Sequence, residues 1–325
     1  MHDLAIRPGS APFAEGSAEV HVPRTMVHKT VDHEVLLASA ARLTEDRFAV
    51  RLRWPEAHLL HHRRADGTRD SLVVAETMRQ AGIYLSHRFH DVPADYAFVL
   101  HRFDFRLTEP VRDRGAGADA VLDIQVRREP GNPRRFRMAS VAWLEIGGRR
   151  VGRATMEWDA FAPRQYAIIR RRGGTPDVER TTAPAAGHRP LPAALVGRDR
   201  ADAVLLAEGP ATAQGWRLLM DTGHPALFDH ASDHVPGMVM VEAFRQAVLA
   251  RTTPLSPSWT IRHMDTSFHS FGELGLPVTI TAEPAGQDTF QLVARQGAQP
   301  LASARVAGRA DETGLVPVLA GAAGC

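Results

Sequence analysis

At 325 residues the chain can hold two domains of ordinary size, and its 44% hydrophobic and 23% charged residues are those of a soluble globular protein. Formal charge is only +2, with arginine pairs scattered rather than gathered on one helix or interleaved with aromatics, which argues against nucleic acid as a partner. A lone cysteine, Cys325, excludes internal disulfides and thiolate zinc clusters, and with no membrane-length apolar run and no secretory leader the expected compartment is the cytoplasm.

Residues 1–24 read as a flexible tail. A first domain is expected over 25–169. It opens with a strand-like "RFAVRLRW" (47–54), passes through a polar loop containing His58, and enters an apolar helix in "SLVVAETMRQAGIYL" (71–85). Three strand-like runs follow: "YAFVLHRFDFRL", "AVLDIQVRRE" and "RRFRMASVAWLEI". Residues 170–200 are rich in Pro, Gly, Ala and charge without an apolar period, and read as a linker. The second domain, 201–318, repeats the plan. "ADAVLLAE" is the strand, a loop holds His224, "HVPGMVMVEAFRQAV" (234–248) is the helix, and "SWTIRHMDTSFHS", "LPVTITAEP", "TFQLVARQG" and "PLASARVAGR" are the strands. Alternation between Gly and Pro breaks marks these runs as antiparallel. His58 and His224 each precede a helix glutamate, Glu76 or Glu242, by 18 residues, so the chain reads as a duplicated α+β domain. All basic residues but Lys29 are arginine, which a GC-rich genome explains.

The helices decide the architecture. On a helical wheel Val74, Met78, Ala81 and Leu85 share one face, with Val73, Ala75, Gly82 and Tyr84 on its flanks, leaving little for water. Such a helix needs wrapping on most sides, and a curved antiparallel sheet around a central helix does this. The expected fold is therefore α+β, a double hotdog. Since two domains of this kind form an internal pair, a monomer or a homodimer of pseudo-dimers is expected.

Against that apolar background, Glu76, Arg79 and Gln80 make a polar stripe, and Glu242, Arg245 and Gln246 make a second. On a solvated helix these would be surface ion pairs worth a few tenths of a kcal/mol. On a wrapped helix they point to a ligand cavity or to the partner half, because burying an ion pair is a poor route to stability. Pro236–Gly237 starts the second helix, leaving the N–H groups of Gly237 and Met238 for an anion or an oxyanion; an ordinary Pro–Gly helix start has the same spelling. His224, His230 and His234 crowd the loop before it, where a histidine can serve as a general base. Their spacing matches no helical His-x-x-x-His pair or zinc ribbon, so neither a metal nor another cofactor is expected.

Four stretches, "VHKTVDHEVLL" (27–37), "WPEAH" (54–58), "AETMRQAGIYLSH" (75–87) and "FDHASDHVPGMVMVEAFRQA" (228–247), resemble the A-factor synthase (AfsA-type) γ-butyrolactone biosynthesis family. The resemblance spans roughly 27–310 and implies two tandem hotdog domains related to β-hydroxyacyl-carrier-protein dehydratases. Phe228 stands where those dehydratases place a histidine, which argues against dehydration. The implied reaction moves a β-ketoacyl group from an acyl carrier protein or coenzyme A thioester to a hydroxyl of dihydroxyacetone phosphate, and the ester then cyclises towards a butenolide. In this reading Glu242 is the base, helped by His230 or His234, and Gly237 and Met238 hold the oxyanion. Arg245 or Arg79 binds phosphate, while Glu76, Gln80, Gln246, His58 and His224 complete the two stripes and their loops. The Pro–Gly start favours the second half as the working site. No serine lies in a G-x-S-x-G setting, so direct transfer without an acyl-enzyme is expected. Transfer to water (a thioesterase or hydratase) and a non-catalytic lipid-signal binding module are the competing readings.

Overall fold

The computed structural model describes residues 20–61, 63–64, 66–115, 117–132, 134–172, 188–209, 215–224, 226–228, 232–253 and 259–310. The first half contributes strands β1 (Val20–His21), β2 (Leu37–Arg42), β3 (Arg47–Leu52), β4 (Ala97–Leu107), β5 (Ala120–Arg128), β6 (Arg135–Ile146) and β7 (Arg149–Phe161). The second contributes β8 (Leu206–Glu208), β9 (Trp216–Leu218), β10 (Trp259–Phe268), β11 (Thr279–Pro284), β12 (Thr289–Gln296) and β13 (Gln299–Ala310). Helix α1 (Leu72–Phe89) lies between β3 and β4, α2 (Pro163–Arg172) follows β7, and α3 (Gly237–Thr252) lies between β9 and β10.

Among the described residues these strands form one antiparallel sheet, ordered β1-β2-β3-β5-β6-β7-β4-β10-β13-β12-β11-β9-β8. Apart from β1, the order is the same read inward from either end. The halves meet at β4 and β10, where Asp104 stands opposite Asp265 and Arg102 crosses the seam to Asp265 with bonds of 2.7 and 3.0 Å. Each half-sheet curls around its own long helix. Fourteen residues of α1, Leu72 to Ala75, Glu76 to Met78 and Gln80 to Ser86, are buried, as the nearly all-apolar wheel requires. In α3 the buried set runs from Val239 to Leu249 without a break. This is the double hotdog expected from the sequence.

The two helices begin differently. The Asp70 carboxylate caps α1 by accepting the Leu72 N–H at 2.9 Å. Pro236 precedes α3 in an extended conformation, with no side-chain cap. Within α1, Gly82 lets the helix approach β7, because a Cβ there would collide with Met156 and sit 3.4 Å from the Trp158 ring.

Several details depart from the sequence reading. Val20 and His21 pair with Ala40 and Ser39, so order begins inside the stretch expected as tail. Residues 1–19 and 173–187 lie outside the described residues. The flanks of the expected linker carry structure: Arg170–Arg172 end α2, and 193–196 form a 3-10 turn. "ADAVLLAE" is equivalent to "DHEVLLAS" (32–39), not to "RFAVRLRW". In both, a 3-10 turn (Asp32–Glu34, Ala201–Ala203) gives way to a Val-Leu-Leu strand start. Strand β7, absent from that reading, is masked in sequence by outward Arg149, Arg153 and Glu157 between inward Val151, Ala154, Met156 and Trp158.

Candidate active site

The two polar stripes are built alike. In α1 the Glu76 carboxylate accepts two bonds from Arg79 at 2.9 Å and one from Gln80 at 2.8 Å, and the ammonium of Lys29 lies 3.0 Å away. In α3 Glu242 accepts two bonds from Arg245 at 2.8 and 2.9 Å, one from Gln246 at 2.6 Å, and two from Arg198 at 2.6 and 3.0 Å. Lys29 and Arg198 occupy equivalent places. Each follows a left-handed residue, His28 (φ 56°) or Gly197 (φ 63°), that ends a short 3-10 turn. The glutamines are structural in both halves. Gln80 accepts the Leu36 N–H and donates to the Glu34 carbonyl; Gln246 does the same with Leu205 and Ala203, all at 2.8 Å.

Burial alone would push both carboxyls up, but the cations outweigh it. Arg79 and Lys29 hold Glu76 well below the usual carboxylate range, and Arg198 and Arg245 hold Glu242 down likewise. Both are firmly ionised, hence weak bases.

What faces each stripe differs, and this decides which one can work. Across from α3 lies the start of α1, where Asp70 reaches within 3.2 Å of Arg245 and 3.5 Å of Arg198. The Leu60 carbonyl accepts a further bond from Arg198 at 2.7 Å. Two guanidiniums and two carboxylates close on themselves; Arg198, Glu242 and Arg245 are each at most 3% exposed. A recess of about 340 Å³ reaches Asp70 and Arg245 there. Across from α1, by contrast, lies the uncapped start of α3. "HVPGMVM" (234–240) stands where the first half has "TRDSLVV" (68–74), so proline replaces the plugging aspartate and glycine replaces a serine. Here a cavity of about 1050 Å³ opens, bordered by Lys29, Glu76 and Arg79 from the first half and His234, Gly237 and Met238 from the second.

At the mouth of the α3 helix the Val239 and Met240 N–H groups turn back onto the Pro236 carbonyl, whereas those of Gly237 and Met238 have no backbone acceptor among the described residues. They bring the positive end of the helix dipole to the cavity. A Cβ on Gly237 would stand 3.1 Å from the Phe268 ring, so the backbone comes close to that wall only without a side chain. Next to it, Asp233 and Tyr166 organise His234: the imidazole Nδ1 is 2.8 Å from the Asp233 carboxylate and 3.2 Å from the Tyr166 oxygen, and the Tyr166 hydroxyl donates to Asp233 at 2.7 Å. Burial raises the Asp233 carboxyl, but bonds from His234 and Tyr166 and the nearby Arg170 bring it down to about 2. A permanently charged Asp233 keeps the proton on Nδ1 and leaves Nε2 as the basic nitrogen. Arg170 of α2 clamps this loop by bonding both Asp233 (3.0 Å) and Glu273 (2.9 and 3.1 Å). Ile83, Phe98, Leu100, Met156, Trp158 and Met240 add apolar wall, and His101, Arg135 and Asp159 a further polar stretch.

The sequence-derived site residues therefore separate. Glu76, Arg79, His234, Gly237 and Met238 border one cavity. Glu242 and Arg245, expected to carry the chemistry, do not border it; they are buried and paired with Arg198 and Asp70. The cavity is bordered by residues of both halves, where the sequence favoured the second. His58 and His224 shape their loops: Nδ1 of His58 accepts from Leu60 and His61, and Nδ1 of His224 from Ala226 and Leu227. Neither borders the cavity, nor do Gln80 and Gln246. His230 lies outside the described residues. Lys29, Asp233, Tyr166, Arg170, Asp70 and Arg198 were missed. A single lysine surviving in an arginine-rich chain was the signal for Lys29, and its counterpart in "VGRDRADAVLL" (196–206) was the signal for Arg198.

The chain as a whole is similar to known proteins. A family model described as the A-factor biosynthesis hotdog domain matches residues 12–162 and again 180–310. A Streptomyces virginiae protein named "2-oxo-3-(phosphooxy)propyl 3-oxoalkanoate synthase" is 33% identical over 317 residues, spanning 93% of this chain and 98% of the relative. A protein of the same name from Streptomyces griseus subsp. griseus is 32% identical over 333 residues, spanning 99% and 98%. Among solved structures, a 12:0-ACP thioesterase from Umbellularia californica aligns with TM-score 0.47 and 11% identity, covering 82% of this chain and 97% of that one. An acyl-ACP thioesterase from Bacteroides thetaiotaomicron aligns with TM-score 0.46 and 13% identity, covering 82% and 100%.

Proposed function

The chain belongs to the A-factor biosynthesis hotdog family, and from that premise we propose that it is an acyltransferase joining a 3-oxoacyl group to a hydroxyl of dihydroxyacetone phosphate. That ester is what the relatives' name spells out. One observation carries the assignment to this site: a bare helix start, a carboxylate-backed histidine and a Lys–Glu–Arg cluster share the walls of one cavity.

Nε2 of His234 takes the acceptor hydroxyl proton as the oxygen attacks the thioester carbonyl. The Gly237 and Met238 amides hold the oxyanion, a role in which a single donor is worth about 3 kcal/mol. Collapse expels the thiolate, which recovers the proton from His234, so ester and thiol leave with nothing else consumed. Arg79 and Lys29 receive the acceptor's phosphate. Glu76 holds both cations in place and transfers no proton; the base is His234, in place of the Glu242 expected from the sequence. Transfer is direct: Ser232 and Ser270, both on the cavity wall, already donate to the His234 and Pro300 carbonyls. The donor is an acyl carrier protein in the cytoplasm, with exposed Arg172 on the rim suited to the phosphate of its pantetheine arm. The working unit is the single chain, whose two halves each complete the site.

The test incubates the protein with a 3-oxoacyl-pantetheine thioester and dihydroxyacetone phosphate, with mass spectrometry for the phosphorylated ester and its cyclised butenolide. Ester formation is expected. Thioester loss at the same rate without the acceptor would make the protein a thioesterase, and binding without turnover would make it a lipid sensor.

A further inference from the structure

Among the described residues that border the cavity, two have a buried side-chain atom without a hydrogen-bond partner, Asp159 Oδ1 and Trp158 Nε1, and of the two only Trp158 is a donor. Trp158, on β7 opposite Leu100 of β4 and Met138 of β6, is 2% exposed and borders the cavity, yet its indole Nε1–H has no hydrogen-bond acceptor among the described residues. Two other buried tryptophans are satisfied: Trp54 donates to Thr77 at 2.9 Å and Trp259 to Asp288 at 3.3 Å. A buried indole N–H ordinarily finds such a partner, because leaving it unmade costs more than the bond itself is worth. Ile83, Leu100 and Met156 border the same space. The Trp158 ring is accommodated by Gly82, whose missing side chain leaves room beside α1. A saturated acyl chain lying here would leave the donor orphaned.

We infer that Trp158 reads the 3-oxo group of the acyl chain, its Nε1–H donating to the ketone oxygen, and so sets the preference for 3-oxoacyl over saturated donors. This rests on the acyl-transfer reading above and assigns a specificity residue within it. The 3-oxoacyl chain differs from its saturated counterpart by one acceptor, and a site built around an orphaned donor discriminates against the analogue lacking it.

Two measurements test it. In the first, kcat/KM is compared for 3-oxoacyl and saturated acyl thioesters of equal length, in the native protein and in Trp158→Phe. The native preference should fall by roughly tenfold in the variant through slower 3-oxoacyl transfer, the size of one such bond, with the saturated rate little changed. An unchanged ratio overturns the inference. The second needs no variant and no turnover: 15N spectra of the indole groups are followed as non-transferable 3-oxoacyl and saturated acyl pantetheine amides are added. The Trp158 signal should move with the 3-oxo ligand and stay put with the saturated one. Equal shifts would assign the N–H to water or to the chain generally. If no ester forms with any donor, the acyl-transfer reading fails, while the spectra still decide Trp158.

Discussion

Glu242→Gln separates the two stripes. The native carboxylate is 2% exposed and accepts two bonds from Arg198, two from Arg245 and one from Gln246. Neutralising it leaves two buried guanidiniums with Asp70 as their one remaining carboxylate partner at 3.2 and 3.5 Å. Removing one partner of a buried ion pair costs about 3–5 kcal/mol. At roughly 2–4 °C per kcal/mol for a domain of a few hundred residues, melting should fall by about 10 °C. The folded variant, assayed well below that melting point, should retain kcat/KM within about threefold, because Glu242 is outside the cavity. Glu76→Gln is the counterpart: it releases Arg79 and Lys29 from their placement, and kcat/KM should drop by about a hundredfold, the scale on which small misplacements act. Circular dichroism melts and ester formation by mass spectrometry read the two effects. Loss of turnover in Glu242→Gln with native melting, together with an active Glu76→Gln, would refute the reasoning.

Other consequences are equally open to measurement. His234→Ala should lower kcat by about 10²- to 10⁴-fold with the fold intact, the usual range for a general base; a rate near native would move the base elsewhere. Lys29→Met should raise the KM for dihydroxyacetone phosphate more than it lowers kcat, and an unchanged KM would remove Lys29 from phosphate binding. Burial, reinforced by neighbouring His58, lowers His61 to about 3. Its folded value lies below the unfolded 6.5, so the stability it allows is complete above about pH 6.5 and is lost as pH falls towards 3. His61→Phe should therefore flatten the loss of denaturation free energy between pH 6 and 4, and an identical slope would show that His61 does not titrate there.

Much of the fold was legible because its strongest signals are periodic. Two helices apolar on nearly every face demanded wrapping, and the runs after them alternated cleanly enough to be read as antiparallel strands. Strand β7 escaped because outward Arg149, Arg153 and Glu157 broke the apparent rhythm. The stripes were legible as stripes, but their fates were not. Equivalent Glu–Arg–Gln trios became an open site and a closed clamp through what lies across from them, Pro236 against one and Asp70 against the other. That pairing is between halves and has no local spelling. Lys29 and Arg198 lie far along the chain from the helix glutamates they meet, Glu76 and Glu242, and were hidden for the same reason. Tyr166 and Arg170 were lost because helix α2 overlaps a stretch whose composition reads as linker.

The most direct measurement is a crystal structure with a non-hydrolysable 3-oxoacyl-pantetheine analogue. The account predicts its carbonyl oxygen within hydrogen-bond distance of the Gly237 and Met238 amides, facing Lys29, Glu76 and Arg79 across the composite cavity. A carbonyl seated instead beside Asp70, Arg198 and Glu242 would contradict it.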